Sequence, residues 1–490
     1  MAEIIKAYVA RYVVPFYFNY KNNGYDKVLA SFRNNRIKTE ELGLPKDSCW
    51  VEKGFWENYK SDSSKQSEMD IYSYLLQILV EQSENDKNYE SNLGSSFVLK
   101  TNGALLKLSY SGGKDEGRLN FSCNDLGVVL FRNGTGFIWY DIEFANTPNL
   151  STYVKFQHDF KELARVNSEL FMKKTGKDSY ETVCMGEWLA LAVDSEKLGI
   201  NFWSERKITD YRKNCSIAIP DKALLFEYLF IDESTAMDRM NLAFRIANGY
   251  DEKYNSPDTL VNDIYEPFGN TCFYTSKSGT AYVVSNNESN EAFFAENFKC
   301  KYVSDYFFIY ILLLYQSYSC AHYSRLLTTL PAEAELFEKD VKYVNELESL
   351  DNQIKLFLVK SVYESVSNIQ HQNGAYKYGK KVLSLDEDIK SLTIGLDALR
   401  QIESGKQKAL IEEKEKISQE KSEKKDRALN KGIVIFGFLV VASAAVDAVN
   451  LVDWFIENMS KINIGHILSL GAIGILTLFM FIVLIINTRK

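Results

Sequence analysis

The chain has 490 residues, room for roughly two to four domains, and a formal net charge of -8 at pH 7. This acidic balance argues against a nucleic-acid-binding protein, so we expect no direct nucleic-acid partner. The seven cysteines are scattered singly and the four histidines are dispersed, which argues against a zinc module, a redox pair or a disulfide framework.

Residues 1–330 mix strand and helix patterns, and they predict a cytoplasmic α+β (or α/β) ligand-sensing domain. The clearest signal is a hairpin at 127–144, whose two β-rich arms flank Asn133 and Gly134. Asn-Gly indicates a tight turn because both residues accommodate positive φ. Periodicity and apolar runs also predict strands at 8–18, 223–231 and 279–285 and helices within 57–90 and at 159–174, 181–194 and 235–248.

Residues 302–327 contain ten apolar residues in a row, from 306 to 315. That run is about half the length of a membrane span, and tyrosines are spread through the whole stretch. We therefore predict a buried helix of the body. Pro331 is expected to end it, because proline suits the first turn of a new helix.

From residue 332 the composition becomes that of long helices, and we predict a helical stalk over 331–431. Two apolar seams with coiled-coil-like spacing run along it, and 371–374 is expected to interrupt them. The first seam contains Leu347, Leu350, Ile354 and Phe357, and the second contains Ile389, Leu392, Leu396 and Leu399. Each seam has to be buried in its own chain or against a neighbouring one. A continuous helix over 385–454 would be about 100 Å long.

Two apolar runs follow the stalk in a segment spanning 432–490. The first has fifteen uncharged residues from Gly432 and extends through a polar outer end to Trp454; the second has twenty residues, 467–486. Twenty helical residues cover the roughly 30 Å of a bilayer core, and a helical hairpin satisfies every backbone polar group. We therefore expect two membrane spans in contact with lipid. The alternative is a buried helical hairpin of a soluble protein.

The flanking charges predict the orientation of this hairpin. Basic residues precede the first run and follow the second, whereas the connection 455–466 carries Lys461 beside Glu457. Positively charged residues remain on the cytoplasmic side. We expect a multi-pass protein of the cell inner membrane with both termini in the cytoplasm.

Ser443, Asp447 and Asn450 fall at i, i+4 and i+7, on one face of the first span. A charged residue within a span usually faces a water-filled path or a partner, so this face is predicted to line a pore in a ring of copies. The alternative places Asp447 at the headgroup level, where it simply ends the span.

The order of these segments resembles the CorA family of divalent-cation channels, which are homopentamers. The resemblance covers mainly 332–490 and implies a homo-oligomer, with five copies expected, and a divalent cation as a candidate ion. CorA transporters carry Gly-Met-Asn at the outer end of the first span. Here that region reads VNLVDWFIENMSKIN (449–463), which departs from the pattern.

The body is similar to divergent CorA-like proteins encoded beside type III CRISPR systems. The segments that carry this similarity are RYVVPFYFNY (11–20), LFRNGTGFIWYDIEF (130–144) and DYFFIYILLLYQSY (305–318). The resemblance implies a membrane effector of antiviral defence that permeabilises the membrane or conducts ions. Its trigger would be a nucleotide second messenger, such as the conjugate of S-adenosyl-methionine with AMP.

The body carries no Walker loop, GxGxxG or catalytic-triad pattern, so we expect no enzyme activity, no catalytic residue and no bound metal. A nucleotide site needs an aromatic ring to stack on the base and cations for phosphate. The candidates by residue type, each of which also suits a structural role, are Arg132, Trp139, Tyr140, Trp203, Arg239 and Arg245.

Three functions remain open on these patterns. The first is the ligand-gated channel or permeabilising effector. The second is a magnesium or other divalent-cation transporter without the usual mouth motif. The third is a membrane-anchored scaffold or enzyme, for which the spans serve only as an anchor.

Overall fold

The structure is a computed structural model that describes most of the chain up to residue 457. The described residues are 4–21, 23–34, 39–53, 70–72, 75, 93–102, 105–111, 118–165, 170–173, 180–182, 184–210, 215–232, 235–254, 256–286, 290–336, 341–457, 474–475, 478–479 and 482. They fall into two compact units, Met1–Asp397 and Ala398–Lys490. The division into body, stalk and hairpin at 330 and 431 stays a prediction.

The first unit is a mixed α+β domain built on one large sheet. Its strands are β1 (Ile5–Phe18), β2 (Cys49–Glu52), β3 (Gly94–Lys100), β4 (Leu106–Ser111), β5 (Arg118–Phe131), β6 (Thr135–Phe144), β7 (Leu170–Lys173), β8 (Tyr180–Thr182), β9 (Ile200–Phe202), β10 (Glu205–Asp210), β11 (Cys215–Pro220), β12 (Leu224–Ile231), β13 (Thr271–Ser276) and β14 (Gly279–Ser285).

The helices of the chain are α1 (Gly24–Arg33), α2 (Thr39–Leu42), α3 (Leu150–Phe160), α4 (Met185–Ala192), α5 (Ser195–Leu198), α6 (Ala236–Asn248), α7 (Phe307–Leu336), α8 (Val341–Ser361), α9 (Gln370–Val382) and α10 (Leu385–Glu457). A 3-10 helix covers Asp258–Asp263, and two π-helical turns, Phe293–Phe298 and Tyr302–Tyr306, flank Lys299–Lys301 ahead of α7.

The sheet runs in the order β13-β14-β12-β1-β6-β5-β4-β7-β8, with β9 paired to β1 and β2 attached through β3 to β5. The pairs along this path are antiparallel except β12 with β14, which is parallel. Hairpin connections and segregated helices are typical of α+β rather than α/β proteins. Strands β10 and β11 form a separate pair.

Strand β1 lies in the middle of the sheet and is covered on both faces. On one face Tyr12 stacks on Tyr140, with ring centroids 5.1 Å apart, and meets Phe160 of α3 edge-on. On the other, the guanidinium of Arg11 lies 4.1 Å from the ring centroid of Phe307 in α7. Because both faces are buried, the strand reads as a nearly continuous apolar run rather than an alternation.

The predicted hairpin is confirmed as β5 and β6. The Thr135 amide donates a 3.1 Å hydrogen bond to the Asn133 side chain, and Gly134 has φ of +85°. A Cβ on Gly134 would lie 2.5 Å from the Phe18 carbonyl oxygen, so both backbone conformation and space require glycine. The strands predicted at 8–18, 223–231 and 279–285 and the helix at 235–248 are also confirmed, within one to three residues at their ends.

The helix predictions at 159–174 and 181–194 are wrong in extent. Helix α3 ends at Phe160, and 170–173 and 180–182 are paired strands; only Met185–Ala192 and the short α5 are helical. The sequence feature that marks the start of α3 is Asn149, which the pattern analysis missed. Its side chain accepts a 2.8 Å hydrogen bond from the Thr152 amide and caps the helix. Most of 57–90 lies outside the described residues.

The predicted break at Pro331 is wrong, because helix α7 continues through it to Leu336. The predicted break at 371–374 is misplaced: these residues lie inside α9, and the interruption falls at 362–369, between α8 and α9. Gly374 is there for close packing, since a Cβ on it would lie 2.0 Å from the Tyr265 hydroxyl oxygen.

At the positions whose side chains are described, both apolar seams are buried within their own chain, except at Ile389, which is half-buried. Leu350, Ile354 and Phe357 of α8 are 6%, 0% and 2% exposed, and Phe357 meets the rings of Tyr315 and Tyr323 in α7. In α10, Leu392 and Leu396 are 1% and 3% exposed. The buried helix predicted at 302–327 is confirmed by this packing, because α7 lies between the sheet and these helices.

The second unit contains the continuation of α10 to Glu457, so the predicted uninterrupted helix is confirmed over 385–454. Within it, Ile411–Trp454 contains a stretch that is long and apolar enough to cross a membrane. It is the one such helix among the described residues. Most of the predicted second span, 467–486, and residues 458–466 of the connection lie outside them; within the span, 474–475, 478–479 and 482 are described and helical.

Candidate functional site

The apolar part of α10 is the first feature that the rest of the structure leaves uncovered. In its most apolar stretch of 18 residues, only 6% of the residues are buried. Thirteen large apolar side chains between 433 and 456 are exposed: Ile433, Val434, Ile435, Phe436, Phe438, Leu439, Val440, Val441, Val446, Val449, Val452, Trp454 and Ile456. A helix that is apolar around its whole circumference belongs in a bilayer or in the core of an assembly.

The predicted pore-lining residues Ser443, Asp447 and Asn450 all lie on this helix and are exposed. Their spacing of four and three residues puts them on one face, as expected. Asp447 therefore stands in an otherwise apolar segment, with no described element of the fold packed over it. Lining of a pore by these residues stays a prediction.

The predicted ligand residues on β6 serve the core. Trp139 is 2% exposed and lies beneath the guanidinium of Arg11, which is 4.5 Å from its ring centroid. Tyr140 is completely buried beside Tyr12. Arg132, at the hairpin, places its guanidinium 5.2 Å from the ring centroid of Tyr25.

The two arginines of α6 that were predicted to bind a ligand form hydrogen bonds with nearby segments of the body. Arg239 is 5% exposed and donates to the Ser285 hydroxyl at 3.1 Å and to the Gly269 carbonyl at 2.9 Å. Arg245 donates to the Tyr254 carbonyl at 3.0 Å. These contacts give both arginines a structural role, separate from that of the residues on β6.

Trp203, the remaining candidate, belongs to a cluster of rings and cations that we call the His322 cluster. The cluster joins the C-terminal half of β1, the turn after it, the residue following β9, and the middle of α7. Its members are Tyr17, Tyr20, Lys21, Trp203, Tyr318, His322 and Arg325. Sequence reasoning selected only Trp203; the other residues are far apart in the chain, and only the fold brings them together.

The rings of the His322 cluster are in direct contact. Trp203 lies 5.3 Å from Tyr17 and 5.3 Å from Tyr318, measured between ring centroids. His322 lies 6.3 Å from Tyr17 and 5.9 Å from Tyr20. Tyr20 in turn donates a 2.7 Å hydrogen bond to the Gln353 side chain of α8, which holds this wall of the cluster in place.

Positive charge lies over these rings. The Arg325 guanidinium is 4.3 Å from the ring centroid of Tyr17 and 5.8 Å from that of Trp203. Arg325 and Lys21 are exposed, whereas His322 is 4% exposed. Burial, together with the charges of Arg325 and Lys21, lowers the pKa of His322 to about 4. The imidazole is therefore neutral at pH 7, with one nitrogen as donor and the other as acceptor.

Neither ring nitrogen of His322 has a hydrogen-bond partner among the described residues, and the same is true of the Trp203 indole nitrogen. Buried polar groups are nearly always paired in folded proteins. The cluster thus combines unused hydrogen-bonding capacity, aromatic surface and two cations.

A second polar group, centred on Glu227, is internal to the body. Glu227 is completely buried and accepts hydrogen bonds from the Tyr153 hydroxyl and, at 3.2 Å, from the Gln157 amide. Burial is the main cause that raises its pKa well above the usual value. A cavity lined in part by Tyr110, Asp159 and Phe160 has a volume of about 10 Å³, room for about one water.

Among the described residues, no group of three or more histidine, cysteine, aspartate or glutamate side chains is arranged to hold a metal ion. Comparisons of the chain with protein-family models, with curated proteins and with solved structures found no match. The fold and its own side chains are therefore the basis for assigning a function.

Proposed function

We propose that this chain is a membrane-inserted, homo-oligomeric channel or permeabilising effector, with the apolar part of α10 as its membrane helix. The supporting observation is the exposure of thirteen large apolar side chains between 433 and 456. Removing one such side chain from water contributes about 1.5–3 kcal/mol of favourable free energy, so the thirteen together contribute at least about 20 kcal/mol. That exceeds the roughly 5–15 kcal/mol of net stability typical of a domain, so lipid or further copies have to cover this helix.

Asp447 favours several copies around a shared axis. A carboxylate facing lipid at the centre of a span costs about 2.5–3.5 kcal/mol on insertion scales. Placing Asp447 on a water-filled axis removes most of that cost, and Ser443 and Asn450 would then line the same path. Rings of aspartate attract cations, so the proposed pore prefers cations. Five copies are proposed from the resemblance to the CorA family.

The stimulus and the biological setting are proposed from the resemblance alone. They are gating by a nucleotide second messenger of the S-adenosyl-methionine–AMP type, and a role in type III CRISPR antiviral defence at the cell inner membrane. The body, buried on both faces of its sheet, is the proposed sensor.

The proposal is tested by reconstituting the full chain into vesicles and measuring ion flux and reversal potential with and without candidate nucleotides. Asp447→Asn keeps the shape of the side chain and removes its charge, so we expect a weaker cation preference with unchanged assembly. The matched control is Asp453→Asn, six residues further along α10, which we place at the headgroup level and expect to behave as the parent. The mass of the detergent-solubilised particle, as a multiple of 56.2 kDa, gives the number of copies.

The outcomes separate the alternatives. Unchanged reversal potential in Asp447→Asn contradicts the pore assignment. A magnesium-selective flux that needs no nucleotide favours a divalent-cation transporter. A monomer with no flux under any condition favours a membrane anchor for a scaffold or enzyme.

A further inference from the structure

His322 is buried with both ring nitrogens unpartnered among the described residues. Leaving a buried donor or acceptor without a partner is costly, so a fold that holds one rigidly usually supplies a partner from solvent or from a ligand. The ring is fixed by Tyr17 and Tyr20 on one side and by its neighbour Tyr323, whose ring centroid is 5.9 Å away.

The charge around His322 is positive. Arg325 comes from α7 and Lys21 from the turn after β1, and both lower the pKa of the imidazole. The other titratable side chains whose rings pack against the imidazole are Tyr17, Tyr20 and Tyr323. Among the described residues, no carboxylate forms a salt bridge with either cation.

The guanidinium of Arg325 is also preorganised. It stacks on Tyr17 and Trp203, which restricts its rotamers while its edge remains exposed. A planar guanidinium held in this way donates two parallel hydrogen bonds to an oxyanion at little entropic cost. The indole N–H of Trp203 and one N–H of His322 are further unused donors.

We propose that the His322 cluster is a binding site for an oxyanion of the phosphate or carboxylate class. Arg325 supplies the charged fork, Lys21 adds a second positive charge, and His322 and Trp203 donate from the buried side. The site is independent of the channel proposal, because it requires only the body to fold.

Binding has a consequence for the protonation of His322. An anion at this position offsets the positive charges of Arg325 and Lys21, which disfavour a charged imidazole. The anion also accepts a hydrogen bond from the protonated ring. Both effects raise the pKa of His322. Uptake of the anion is then linked to uptake of a proton, and the site binds more tightly as the pH falls towards that raised pKa.

The test uses the full chain in detergent micelles with selectively ¹⁵N-labelled histidine. Inorganic phosphate is the probe, and His322 is assigned from the resonance lost in His322→Gln. We expect saturable shifts of the His322 ring nitrogens and a higher His322 pKa with phosphate than with chloride. No phosphate-dependent change at His322 in the parent protein overturns the proposal, whether or not any variant folds.

Arg325→Gln tests the charged fork, with Lys253→Gln as the matched control because the Lys253 side chain is 89% exposed in another part of the body. We expect phosphate to bind about tenfold more weakly to Arg325→Gln, the loss expected for one charge-assisted hydrogen bond, and with parental affinity to Lys253→Gln. Equal weakening in both variants overturns the site in favour of general charge attraction.

Two further arms identify the source of the oxyanion. Methyl phosphate in solution and vesicles containing phosphatidylglycerol are each titrated against the labelled protein. Shifts at His322 with methyl phosphate support a soluble phosphate ligand, and shifts only with the vesicles support a lipid headgroup.

Discussion

Arg11 shows how a single charged residue is accommodated in the middle of the sheet. It is 1% exposed, lies between the rings of Trp139 and Phe307, and donates from Nε and Nη2 to the two carboxylate oxygens of Asp141 at 2.5 and 2.6 Å. Its Nη1 donates to the Val303 carbonyl at 3.2 Å. The guanidinium thereby connects the sheet to the π-helical turn that precedes α7.

Asp141→Asn removes the negative partner and leaves the buried guanidinium uncompensated. We expect the free energy of unfolding to fall by about 3 kcal/mol, measured by denaturant titration. The control is Glu52→Gln, because Arg33 and Glu52 form a pair of the same geometry at 2.7 and 3.0 Å, but the Arg33 side chain is 40% exposed. That change should cost about 1 kcal/mol or less. Similar losses in the two variants would contradict a special role for the buried pair.

At the scale of elements, α10 has two differently built parts. Near its start, Leu392 and Leu396 are buried in the body, and a Cβ on Gly395 would lie 3.5 Å from Cδ1 of Leu327 in α7. Beyond Lys431 the helix exposes apolar residues on every face. The first part holds the helix to the body, and the second is left for lipid or further copies.

Leu392→Ala should lower the free energy of unfolding of the body by about 2–4 kcal/mol, the cost of a cavity in a packed core. The control is Ile394→Ala, two residues away in the same helix, where the side chain is 60% exposed and the change should stay within about 0.5 kcal/mol. Because the seam is buried in its own chain, neither change should reduce the number of copies in the particle. Dissociation of the assembly by Leu392→Ala without loss of stability would show that the seam instead contacts a neighbouring copy.

At the scale of the whole molecule, the charge asymmetry around the two apolar runs predicts a cytoplasmic body and an external connection at 455–466. Cys300, which is exposed, provides a natural reporter in the body. Two variants are compared: one keeps Cys300 as its single cysteine, and the other carries Ser460→Cys in the connection, with all remaining native cysteines replaced by serine in both. A membrane-impermeant maleimide added to intact cells should label residue 460 and leave Cys300 unlabelled until the cells are permeabilised. Labelling of both from the same side would contradict the two-span topology.

The sequence determined those features whose cause is local. Asn133-Gly134 specifies its hairpin because positive φ is needed at that turn, and the apolar run from Gly432 specifies a helix for an apolar environment because its length and composition are sufficient. The strands at 8–18 and 279–285 are equally predictable from the sequence, because a strand that is buried on both faces contains few polar residues. Helix ends were less predictable where a capping residue such as Asn149 decided them.

The tertiary structure decided which residues can act together. Trp139, Tyr140 and Arg239 have the residue types of a nucleotide site, yet the fold uses them as packing and tethering groups. Of the His322 cluster only Trp203 was selected from the sequence; His322, Arg325 and Tyr17 gave no signal there, because residues about three hundred positions apart become neighbours only when α7 packs across β1. Local patterns encode elements, whereas a binding site depends on long-range packing, and for that reason the long apolar helix was evident from the sequence and the His322 cluster was not.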